Sequence, residues 1–148
     1  METHLASAKE LVETAIKSLG LDPATVRAKD TPEQASWTLK RGSAALLVTV
    51  VRRQEVLTLR VVSPVLILPA AEARLPLYTR VLELNANGLG NCAFGLVGDR
   101  LVALSERPVE GLDPKEIEQI VRQVAAVADT YDDRLVKDFG GQRASEAT

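Results

Sequence analysis

Apolar residues recur at helical spacing at Leu5, Ala8, Val12, Ala15, Ile16 and Leu19, and Gly20 follows as a stop signal. The spacing predicts a first helix over residues 3–19. From Leu21 to Glu33 the Asp-Pro and Thr-Pro pairs favour turns and extended chain. The period then changes. Trp37–Arg41 alternates apolar and polar, and Gly42-Ser43 signals a turn. Ala44–Val51 is an almost unbroken apolar run, and Val56–Val62 makes a third strand after the charged turn at Arg52–Glu55. Three strands joined by short turns predict an antiparallel meander. Beyond the extended segment Val65–Leu68, a second helix is expected over 75–87, with Pro76 in its first turn. Asn91–Val97 and Leu101–Arg107 flank Gly98-Asp99, a two-residue hairpin signal. Asp113-Pro114 then opens a last helix: Asp as N-cap, Pro at N1, and a buried stripe from Ile117 to Leu135. One domain over 1–139 is expected, with 140–148 a disordered tail.

Two of these segments are more apolar than one core requires. In Ala44–Val51 both parities are apolar apart from Thr49, the pattern of a strand covered on both faces. On the second helix Leu77, Val81 and Leu84 form one stripe, which Tyr78 and Leu82 widen to an arc of about 160°. Surplus apolar surface of this kind predicts a second chain. The expected contributors are Leu46, Val48 and Val50 on the strand and Leu77, Tyr78, Val81 and Leu82 on the helix, the helix set serving a homodimer.

Chemistry is sparse. Asn87–Ala93 contains a G-x-G-x-x-A string, the short form of a dinucleotide fingerprint, and Glu110 follows at about the spacing of a ribose ligand. Its glycines, however, come after a helix and before a strand, the reverse of the order that places a helix N-terminus on phosphate. They more simply end the helix and permit positive φ. The single histidine, His4, lies near the chain start, and no Cys/His grouping suits zinc. Asp129, Asp132 and Asp133 form the densest carboxylate set, with Asp129 and Asp133 expected on a solvated helix face and Asp132 at its margin beside the buried stripe. No catalytic residue, cofactor or metal is therefore expected, and the chain does not read as an enzyme.

At 148 residues the chain can bury roughly two thirds of its unfolded surface without disulfides or metals. The formal charge of −2 provides no drive toward nucleic acid or an anionic membrane. Lys40, Arg41, Arg52, Arg53 and Arg60 cluster along the chain, but five aromatic residues offer little base stacking. Cys92 is the only cysteine, expected as a buried apolar thiol. METHLASAKELVE lacks the basic start and apolar run of a signal peptide, and no apolar run is long enough to span a bilayer. A cytoplasmic location is expected.

The element order αβββαββα, an α+β class with an antiparallel sheet of about five strands and three helices, resembles the class I type III secretion chaperone fold. The wording is also similar to the YbjN family. That likeness runs from Leu19 to Leu135. It is strongest in Ser63-Pro-Val-Leu-Ile-Leu-Pro69, Leu77-Tyr78, Val81-Leu-Glu-Leu-Asn85, Ala93-Phe94-Gly-Leu, Glu106-Arg-Pro-Val109, Gly111-Leu-Asp113 and Ala128-Asp129-Thr-Tyr131-Asp132. The resemblance implies a YbjN-like domain that dimerises and binds other polypeptides, or that regulates sensory transduction. The resulting expectation is a non-enzymatic homodimeric module, chaperone-like or regulatory, that holds a protein or peptide partner on apolar sheet and helix surface. The alternative is a sensor with a small molecule between sheet and helix.

Overall fold

Helical and strand periodicities segregate into two layers. In the computed structural model, which describes residues 4–146, the elements run α1 (Leu5–Ser18), α2 (Pro23–Val26), β1 (Arg27–Thr31), β2 (Gln34–Arg41), β3 (Ala44–Arg53), β4 (Val56–Ile67), α3 (Ala71–Ala86), β5 (Ala93–Val97), β6 (Arg100–Pro108), α4 (Pro114–Phe139) and β7 (Gln142–Arg143), followed by a 3-10 turn at Ala144–Glu146. The strand order is β1-β2-β3-β4-β6-β5, every neighbouring pair antiparallel, with β7 pairing the end of β4. The buried faces of α1 (Ala8, Val12, Ala15, Ile16), α3 (Leu77, Val81, Leu84) and α4 (Ile117 to Leu135) join the inward residues of the sheet in one core.

Local signals explain the long elements. Asp113 accepts a hydrogen bond from the Glu116 amide at 2.7 Å, and Pro114 follows at a position with no amide to lose. Gly88 takes φ +84° just after α3, so the glycine string ends a helix and leads into β5. The β3–β4 turn is sharper than its charge alone suggests, since Gln54 and Glu55 both have positive φ.

Several expectations need correction. The segment read as turns between Leu21 and Glu33 holds α2 and β1. Asp22 caps α2 through the Ala24 amide at 3.0 Å, and β1 is a charged edge strand, RAKDT, with no apolar alternation to betray it. The third strand and the later extended segment are one strand, β4. It continues through Pro64 because its register against β6 shifts between Pro64 and Leu66, and a bulge tolerates the missing amide. Helix α3 starts four residues early, which places Pro76 inside it. The tail expected to be disordered is tied down over Gln142–Arg143, where it pairs with Leu66 and Ile67 of β4.

Candidate interaction surface

All three long helices cover the same face of the sheet. Inward positions of β2 and β3 are cross-strand partners: Trp37 with Val48 and Leu39 with Leu46. The interface role expected for Leu46, Val48 and Val50 therefore does not hold, because all three are sealed in the chain's own core. Leu77 and Val81 are likewise interior, fixed by α3 packing inward, and cannot meet a partner. The strand expected to be covered on both faces is covered on one, and its odd positions turn outward: Leu46 is 1% exposed, Leu47 44%.

The ladder registers extend this outward set across the sheet. Leu47 lies beside Val62, Val62 beside Leu104, and Leu104 beside Ala93, an apolar row over four strands. Gly95 keeps the row low at its end; a Cβ there would lie 3.0 Å from the Leu104 side chain. The adjacent row is polar. Glu106 receives Arg60 at 2.6 Å and Arg53 at 2.8 Å, so one carboxylate is shared by two arginines of the basic cluster. The rest of that cluster is dispersed, since Lys40 and Arg41 pair with the start of β3 and sit about 25 Å from Arg52 near its end.

A second exposed stripe runs along α3. Leu75 (74% exposed), half-buried Tyr78 and Leu82 (65%) lie at i, i+3 and i+7, beside the buried stripe and turned away from it. Leu82 alone of the seven expected contact residues is fully at the surface. Leu96 and Val97, on the neighbouring edge strand β5, are half exposed. The free edge of β5 is closed at Phe94, whose amide donates to Asn85 Oδ1 at 2.8 Å and whose carbonyl accepts from Asn85 Nδ2 at 3.2 Å. The opposite edge, β1, is charged and anchored, with Asp30 receiving Lys9 and Arg27. Both edges are thus guarded against indiscriminate pairing, and the open face is left.

Asp129, Asp132 and Asp133 of α4 tie neighbouring segments to the helix. The Ser43 hydroxyl donates to Asp129, with an oxygen of Asp132 3.2 Å away. Arg143 faces Asp132 at 3.6 Å and Asp133 at 3.1 Å, fastening the tail to the helix. Asp132, expected at the margin of the solvated face, is buried. Among the described residues no three His, Cys, Asp or Glu side chains cluster as a metal site needs, and no helix is long and apolar enough to cross a membrane. Cys92 is a buried free thiol, its pKa pushed up to about 11 by desolvation.

Comparison with known proteins follows the same lines. The family TY-Chap1, described as T3SS (YopN, CesT) and YbjN peptide-binding chaperone 1, matches residues 6–147. The chain belongs to this family. No curated protein matches it. Solved structures share the fold. A chain of the ExsC–ExsE complex superposes with a TM-score of 0.61 at 14% identity, covering 90% of this chain and 97% of that one. A chain of the Pseudomonas aeruginosa ExoU–SpcU complex gives 0.58 at 16% identity, over 85% and 95%. E. coli YbjN gives 0.56 at 14% identity, over 90% and 94%. The likeness to YbjN and to secretion chaperones therefore stands, as an α+β fold on an antiparallel sheet, and the family is a peptide-binding chaperone type.

The outward row Leu47–Val62–Leu104 was missed from sequence because both parities of β3 are apolar. One signal could have found it. Gly42-Ser43 is a two-residue turn, so Arg41 pairs with Ala44 and the clear inward parity of Trp37 and Leu39 transfers to even positions of β3.

Proposed function

We propose that this TY-Chap1 protein is a homodimeric chaperone-like or regulatory module of the cytoplasm that holds a partner polypeptide against the open sheet face, with α3 joining two copies. The observation that carries the reading is the row Leu47, Val62, Leu104 and Ala93, which the chain's own helices leave uncovered. An extended apolar segment laid along it would shield what water now touches. Similar chains come from complexes with a second protein, among them the HopA1–SchA chaperone–effector complex, and this favours the same use of the fold here.

For the dimer, a twofold contact counts every residue twice. Leu75 and Leu82 from both copies contribute on the order of 6 kcal/mol when buried, against an association cost of about 4–15 kcal/mol. The stripe alone is marginal, so the reading requires adjacent Tyr78, Leu96 and Val97 to join the contact. The test is the solution mass by light scattering at micromolar concentration for the parent and for Leu82→Arg. The expected result is a dimer that becomes a monomer with its fold intact by circular dichroism. A parent that is monomeric at that concentration removes the dimer from the proposal.

A further inference from the structure

Where the α3–β5 loop, the end of β6 and the first turns of α4 meet, the chain forms a cleft of about 420 Å³ lined by Gly90, Arg107, Glu116, Gln119 and Gln123. It lies within the size range of small-ligand sites. Gln123 donates to the Leu89 carbonyl at 2.7 Å, which fixes the loop against α4 and holds the cleft's rim in place.

Its charges set it apart. Among the described residues, the half-buried arginines Arg60, Arg100 and Arg143 each face a carboxylate within 4 Å. Arg107, also half-buried, has no such partner. Glu116 is half-buried in the wall of the same cleft and likewise has no ionic partner among the described residues. The two form no ion pair with each other. Opposite charges therefore face one small space with their water shells cut back by burial. An anion alone would meet repulsion from Glu116, and a cation alone would meet Arg107; a molecule carrying both charges satisfies the two walls at once.

We propose that this cleft is a binding site for a small zwitterion of the α-amino acid class, the carboxylate on the Arg107 guanidinium and the ammonium on the Glu116 carboxylate. Gln119 is placed to rank ligands by their polar side chains. The site is separate in its residues from the apolar row and the α3 stripe, so it stands whether or not those bind protein.

The test is isothermal titration of the full chain with the proteinogenic α-amino acids, one at a time. The best binder is then compared with its deaminated acid and its decarboxylated amine. At least one amino acid is expected to bind with Kd on the order of 1 mM or tighter, and each single-charge analogue about tenfold or more weaker. Arg107→Met should weaken the amino acid by about tenfold or more while melting like the parent. Glu116→Gln should abolish the preference, so that the deaminated acid binds as well as the amino acid. No binding by any amino acid, equal binding of the analogues to the parent, binding indifferent to Arg107→Met, or a preference that survives Glu116→Gln each overturns the proposal.

Discussion

Leu46 and Leu47 are chemically identical neighbours on β3 that face opposite sides of the sheet, so they separate what the strand does for folding from what it does for binding. Leu46 is sealed beside Leu39 in the core. Truncation to Ala removes its transfer free energy and leaves a cavity, a loss of about 2–5 kcal/mol. A chain of this length has a total stability of about 7–20 kcal/mol, and the loss lowers Tm by about 5–15 °C. Leu47 already meets water over 44% of its surface, so Leu47→Ala forfeits about 1 kcal/mol or less in the single chain. Leu47→Asp keeps its charge solvated in the isolated chain. Beneath an apolar segment that charge must shed water, which weakens binding by at least about tenfold. Urea unfolding followed by circular dichroism measures the first pair of effects. Fluorescence anisotropy of a labelled, reduced and alkylated polypeptide measures the second. Equal destabilisation by Leu46→Ala and Leu47→Ala would refute the assignment of faces. Unchanged polypeptide binding by Leu47→Asp would refute the use of the open face.

The C-terminal strand supports a second test. A Cβ at Gly141 would stand 2.5 Å from the Ile67 carbonyl oxygen at a φ of +89°, so Gly141→Ala, like Arg143→Ala, should release β7 and expose the tail to limited proteolysis while the core stays folded; a tail as resistant as the parent's would contradict the clasp. Cys92 in the folded chain should resist iodoacetamide at pH 8 and react on unfolding, because its thiolate forms only near pH 11. The sign follows from the same shift: the folded chain holds this proton more tightly than the unfolded chain, so the contribution to stability is full below about pH 9 and drains away as pH rises toward 11. Rapid native labelling at pH 8 would show that the thiol is not buried.

The amino-acid pattern by itself determined the elements with strong local signals. The Asp113-Pro114 cap and the stripe from Ile117 to Leu135 specify α4, Gly98-Asp99 closes the β5–β6 hairpin, and the order of helix and strand around Gly88 and Gly90 accounts for the glycine string as a helix stop rather than a dinucleotide fingerprint. These depend on neighbours in the chain, where one residue's geometry constrains the next. Tertiary structure decided the rest. β1 is a strand because β2 accepts it, although its charged composition carries no strand signal. Which parity of β3 is interior depends on a register set across a turn, and that choice buries Leu46, Val48 and Val50 and leaves Leu47, Val62 and Leu104 on the open face. Arg107 and Glu116 come together because β6 ends where α4 begins its first turns, and neither charge foretells the other along the chain. Local rules fix backbone shape, but a surface is assembled from residues distant in sequence, and only their packing shows which of them water still reaches.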